Sequence, residues 1–178
     1  MTGGKDAEKQ LASFLAKYTQ EIADLGEDIR GEMRKLYPTA LELVYDNYNA
    51  LVIGYGPSEK PTEAIFSIVL YPKWVSLFFL QAKGLPDPDR ILCGSGTVAR
   101  HIVLPSAAAL HLPEVRSLMR EAVAIAKAPF DSKGVHRLII RSISPTQRPR
   151  RPAGEDEVSA VRPTAKIQRK KAPAGARS

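Results

Sequence analysis

The chain has 178 residues, of which 44% are apolar, so it is long enough for one well-formed core and too short for two full domains. Its net charge of +7 would direct attention to anionic partners, and its single cysteine, Cys93, excludes an internal disulfide. No apolar run approaches the ~20 residues that span a bilayer and the start, MTGGKDAEKQ, lacks the pattern of a secretory signal, so a cytoplasmic protein without a membrane segment is expected.

Helix one is predicted over Asp6 to about Lys17, with Leu11, Phe14, Leu15 and Tyr18 at the spacing that builds one apolar face. Helix two follows from about Thr19 to Leu36. Its apolar residues Ile22, Leu25, Ile29, Met33 and Leu36 fall within about 80° of one another, despite Gly26 and Gly31, and Pro38 stops it. Four strands are predicted next: Leu41 to Asp46, Ala50 to Tyr55, Glu63 to Tyr71 and Lys73 to Gln81, separated by breakers that suit antiparallel hairpins. Val98 to Leu104 reads as a fifth strand. Pro113 opens a third helix whose buried stripe is Val115, Leu118, Met119, Ala122 and Ile125, and Arg137 to Ser144 reads as a short sixth strand.

Strands flanked by helices, without regular alternation, predict an α+β fold: an antiparallel sheet of five to six strands, with two N-terminal helices and a C-terminal helix packed on it. A strand as apolar as IFSIVLY calls for cover on both faces or for a partner, a dimer being one way to supply it. The domain is expected over 1–144. From Pro145 onward nine Lys or Arg stand against three acids, which leaves positions 1–144 with a net charge of only +1. Pro, Ala, Arg and Lys dominate 145–178, so a disordered basic tail is expected there.

Few motifs carry chemistry. Gly94-Ser95-Gly96-Thr97 has glycines suited to an anion cradle, but it lacks the further residues of a dinucleotide fingerprint or P-loop and leads into a strand, which favours a structural turn. Arg100 and His101 point to opposite faces of their strand. A small-ligand site is sought around Arg100, His101 and Trp74, with Phe78 beside them, against a structural role for the Arg-His pair. The cysteine and histidines show no zinc spacing, which moves metal ligation to carboxylates. Glu21, Asp24, Asp28 and Glu32 fall within about 80° on a ridge of helix two, a surface for a weakly held cation or a plain solvated face. No nucleophile, base and orienting group can be assembled, so a non-enzymatic protein is expected.

The stretch KWVSLFFLQAKGLPDPDRILCGSGTVARHIVL resembles the bacterial YdhG-like domains of unknown function, in which an aromatic strand leads through an L-P-D-P turn to a Gly-x-Gly and an Arg-His strand. The resemblance runs over about residues 8 to 144, and Thr97 stands where relatives often carry a lysine. That group includes a protein taken to be a frataxin-like intracellular iron chaperone. The resemblance therefore implies a binding or carrier module, with iron as the cargo and the acids of helix two as its seat. The alternative is an accessory protein that binds nucleic acid or an acidic partner through its tail, using Arg148, Arg150 and Arg151 and then Arg169, Lys170 and Lys171, without stacking aromatics of its own.

Overall fold

The computed structural model describes residues 3–153. α1 spans Gly3–Leu15 and α2 spans Gln20–Leu36. Between them the chain tightens: the N–H groups of Lys17 and Tyr18 bond to the carbonyls three residues back, and Tyr18 drops into the core. Thr19 caps α2, its hydroxyl accepting from the Ile22 N–H at 3.4 Å. Buried Leu11, Phe14 and Leu15 on α1 and Ile22, Ile29 and Met33 on α2 form the apolar stripes predicted from their spacing.

Six strands follow: β1 (Leu41–Asp46), β2 (Leu51–Gly56), β3 (Phe66–Leu70), β4 (Val75–Phe79), β5 (Arg100–Leu104) and β6 (Leu138–Ile143). The sheet order is β5-β4-β3-β2-β1-β6. β1 to β5 form an antiparallel meander, and β6 joins parallel to β1, with an irregularity in register between Val44 and Tyr45. The fold is the expected α+β class, with a mixed sheet that is mostly antiparallel. α3 (Pro113–Ala124) supplies the long connection that a parallel pairing requires. It buries Val115, Leu118, Met119 and Ala122; the predicted stripe ends there, since Ile125 caps the helix and is exposed.

Register divides the strand side chains into two faces. Val44, Ile53, Ile68, Leu77 and Ile102 form one cross-sheet row, and all five belong to a single core with the buried residues of α1, α2 and α3. On the other face Tyr45, Val52, Val69, Ser76 and Val103 form a row, and none of them belongs to that core. The helices thus cover one face of the sheet.

The expected boundary at Ser144 falls short. The Ser144 N–H bonds to the Asp46 carbonyl and the Arg148 N–H to the Tyr48 carbonyl, so the segment follows the β1–β2 turn. Arg150 is 4% exposed, donates to Asp46 at 3.1 Å and to the Asn47 carbonyl, and lies over the Tyr18 ring. Residues 145–153 are therefore part of the folded body, because a buried carboxylate at Asp46 holds Arg150 in place. The rest of the expected tail, 154–178, lies outside the described residues.

Candidate functional site on the open sheet face

The helix-free face holds a hollow of about 740 Å³. Tyr48, Tyr71, Trp74 and Phe78 wall it, Val52, Ser67 and Val69 contribute from β2 and β3, and Asn47, Asn49, Arg148 and Pro149 close one end. Strand alternation explains the walls: Trp74, immediately before β4, and Phe78 within it share one side, with Ser76 between them. Trp74 stacks on Tyr71 across the Pro72-Lys73 turn, with centroids 4.9 Å apart, and is 44% exposed. Phe78 stacks on His101, its register partner on β5, at 4.8 Å. The small residues Gly54 and Ser67 are paired in the middle strands and leave room between the aromatic groups.

Polarity on this face is sparse. Arg148 is the only charged residue lining the hollow, its guanidinium lies 5.4 Å from the Tyr48 ring centroid, and it has no carboxylate partner among the described residues. The hydroxyls of Tyr45 and Ser76, in one cross-sheet row, are buried without a hydrogen-bond partner among the described residues. Unpaired hydroxyls of this kind are uncommon in a finished core.

Of the three residues expected to form a ligand site, the sheet brings Trp74 and His101 to one face and sends Arg100 to the other. Arg100 pairs in register with Phe79 on the helix side, and its guanidinium donates to the Leu92 carbonyl at 2.5 Å, tying the 82–99 loop to β5. It cannot join Trp74, because adjacent residues of a strand point to opposite sides. The Gly-Ser-Gly turn is exposed and closes beside His101. Gly94 has a φ of 97°, and a Cβ on Gly96 would stand 2.7 Å from the Ala99 carbonyl oxygen, so both glycines answer to backbone geometry.

The other expected sites fare differently. On α2, Asp24 accepts from Gln20, and Glu32 accepts from Lys35 and lies 2.8 Å from His111. Glu21 and Asp28 stand exposed on the same helix, but among the described residues no group of three or more His, Cys, Asp or Glu side chains converges to hold a metal ion. Of the basic residues expected to meet a polyanion, Arg150 is withdrawn into its ion pair with Asp46. Arg151 donates to the Tyr18 and Ala16 carbonyls, leaving Arg148 on the open face. Arg169, Lys170 and Lys171 lie outside the described residues.

A buried ionic cluster on the covered face was not expected. Glu42 is fully buried and accepts from Arg30 Nη2 at 2.8 Å, Arg34 Nη2 at 3.1 Å and the Tyr55 hydroxyl at 3.3 Å; His136 Nε2 lies 3.2 Å from it. Both arginines also reach Glu8 on α1. Burial pushes Glu42 up, but His136 close beside it, the hydrogen bonds from Arg30 and the charges of both arginines outweigh it and bring the carboxyl down to about 2. Glu42 is saturated with partners and closed to solvent, so it acts as a clasp between α1, α2 and the sheet. A groove of about 950 Å³ runs nearby between α1 and β6, but Lys5, Asp6, Glu8 and Lys9 mix both signs there and His136 is turned to Glu42. It therefore presents no converging set of groups to a ligand.

Among the described residues no helix is long and apolar enough to cross a membrane. No family model matches the chain, no curated protein matches it, and no solved structure matches it. The likeness to the YdhG-like domains accordingly rests on the residues quoted above. The aromatic hollow is built from residues the sequence displays openly; what identifies it as one surface is the register that aligns Tyr71, Trp74, Phe78 and His101 with the β1–β2 turn.

Proposed function

We propose that the protein is a non-catalytic binding module whose working surface is the open sheet face, and that it takes a flat aromatic ligand carrying negative charge. The observation that supports this reading is the lining of the hollow: four aromatic walls, a single charge and no carboxylate. Aromatic side chains offer large rigid faces for stacking, and Arg148 supplies the one directional attraction for an anion. Pockets with mostly apolar walls and a few polar groups are the usual form of a ligand site.

Backbone amide NMR of the full chain, titrated with naphthalene-2-sulfonate and with adenosine monophosphate, tests this directly. Shifts are expected at the β1–β2 turn and along β3 and β4, with both Trp74→Ala and Arg148→Ala weakening them. Shifts confined to the α1–β6 groove, or none at all, would sink the proposal.

A further inference from the structure

We infer that two copies of this chain join edge to edge through β6, so that their sheets run on as one and the α1 helices of the two copies lie side by side. Edge pairing leaves the hollow of each copy uncovered, so it goes beyond the open-face reading and is independent of it.

β6 is an outer strand of the sheet, and among the described residues no backbone hydrogen bond reaches its outer side. The Arg137 carbonyl accepts from the Glu42 N–H, and backbone groups alternate along a strand, so Leu138 and Ile140 turn their N–H and C=O groups outward. The devices that blunt a free edge are sparse in this stretch: 138–140 is Leu-Ile-Ile, with neither charge nor proline. The irregularity between Val44 and Tyr45 follows directly, which keeps the shared pairing short. At the opposite edge, His101 of β5 already exchanges both of its backbone hydrogen bonds with Cys93, at 2.7 and 3.1 Å. One edge is therefore closed at its middle while the other is open, which favours a closed pair over a growing fibre.

Room for a strand lies beside that edge. The groove of about 950 Å³ is lined by 4–10 of α1 and by 136–140 of β6, so it runs along the strand. Its helical wall includes Gly4 and Ala7, and a Cβ on Gly4 would meet nothing within 4 Å. Leu138 and Ile140 pair in register with Glu42 and Val44, which puts their side chains on the helix side of the sheet. A strand added there turns the same apolar side chains into the groove.

Charge selects the occupant. On α1, Glu8 is engaged with Arg30 and Arg34, which leaves exposed Lys5, Asp6 and Lys9 without an ion pair among the described residues. A peptide of either charge would meet attraction and repulsion together, whereas the same surface turned about a two-fold axis meets its complement. With the axis at Ile139, Leu138 of each copy pairs with Ile140 of the other. The α1 segments then run antiparallel, with Asp6 of each copy opposite Lys9 of the other. Arg137 and Arg141 also approach in this register, but both reach Glu59 of their own chain, at 2.9 and 3.4 Å.

Sedimentation of the full chain at rising concentration should show its mass pass from 19.5 kDa to twice that value. Over the same range the Leu138 and Ile140 amides should gain protection from hydrogen exchange, while the emission of Trp74, the only tryptophan, stays constant. Ile139 lies outside the helical core, so Ile139→Lys should leave the fold intact by circular dichroism. It sets like charges against each other on the axis and should weaken association about ten-fold, and an equimolar mixture with Ile139→Glu should restore it. The helix contact is tested separately, at exposed positions that do not bear on folding: Asp6→Lys should weaken association and Asp6→Lys with Lys9→Asp should recover it.

A single-chain mass at every concentration up to about 1 mM overturns the inference. If Leu138 and Ile140 then shift on addition of a synthetic peptide of residues 137–143, the edge belongs to the strand of another protein. A doubled mass that neither set of variants moves, with Trp74 emission that follows concentration, assigns the contact to the open face and overturns it too. Naphthalene-2-sulfonate shifts on β3 and β4 are expected whichever result sedimentation gives, so the two readings fail separately.

Discussion

The two faces of this sheet are made by the same six strands, yet they treat polarity in opposite ways. The covered face takes in full charges, at Glu42 and Asp46, and gives each of them partners: Arg30, Arg34, Tyr55 and His136 around Glu42, Lys17 and Arg150 around Asp46. The open face carries almost no charge, exposes the Tyr48 and Trp74 rings and leaves the neutral hydroxyls of Tyr45 and Ser76 unpaired. Buried carboxylates that each meet several cations fix one arrangement of helices on sheet, whereas exposed rings and unpaired hydroxyls contribute little to folding. Residues that could be optimised for stability and are not are candidates for binding.

The largest effect should come from Glu42→Gln, which strips the charge that compensates buried Arg30. Breaking such a pair is expected to cost about 3 kcal/mol in urea denaturation at neutral pH, toward the low end of the range because Glu8 still reaches Arg30. The pH dependence sharpens the point. A carboxyl held at about 2 when folded, against an ordinary 4.5, contributes stability above 4.5 that is lost as pH falls toward 2. The gap between the natural chain and the variant should therefore close over that window; a gap unchanged at acid pH would show that the charge of Glu42 is not what clasps the helices.

Next in size is Arg150→Ala. It removes a charged hydrogen bond to buried Asp46 and leaves Lys17 as the remaining cation there, at an expected cost of about 2 kcal/mol. Hydrogen exchange gives the sharper readout, since the Arg148 N–H, bonded to the Tyr48 carbonyl, should lose protection along with the segment after Ser144. Retained protection would detach the position of Arg148 on the open face from the ion pair on the covered one.

How much of this the sequence displays follows from which physical signal each part emits. α1, α2 and α3 announce themselves by apolar spacing, and β1 to β5 by breakers between β-rich runs, so fold class and element order were legible. The faces were not. In LELVYD the alternation sets Leu41, Leu43 and Tyr45 against Glu42, Val44 and Asp46, and hydropathy alone turns the first set inward. The chain does the reverse with respect to the helices, because Arg30, Arg34 and Arg150 come from distant segments to neutralise the acids. In KWVSLFF both sets are apolar, so the run reads as buried on both sides and hides that Trp74 and Phe78 look outward. Arg148 and Arg150, two apart in a stretch that reads as tail, differ in fate only through Asp46.

Gly26→Ala probes the fit between α2 and the covered face. A Cβ there would stand 2.5 Å from Leu70 Cδ2 in the core, so overpacking outweighs the gain in helix propensity, and a net loss of about 1 kcal/mol is expected. Gly31, with nothing within 4 Å, should behave oppositely and gain about 1 kcal/mol as alanine. Equal signs for the two would mean that the helix is not seated on Leu70 as described.

The smallest effect on folding is expected at Trp74, on the face proposed to bind. Trp74→Ala removes the largest side chain of the open face, yet the ring is 44% exposed, stacks on one neighbour and makes no contact with the helical core, so its midpoint in urea should move by no more than about 0.5 kcal/mol. A loss of several kcal/mol would make Trp74 a structural cover for Val69 and Ser76 and would erase the contrast between the faces. An unchanged midpoint, together with lost naphthalene-2-sulfonate shifts, would separate folding from binding at a single side chain: the covered face determines whether the sheet forms, and the open face determines what the sheet holds.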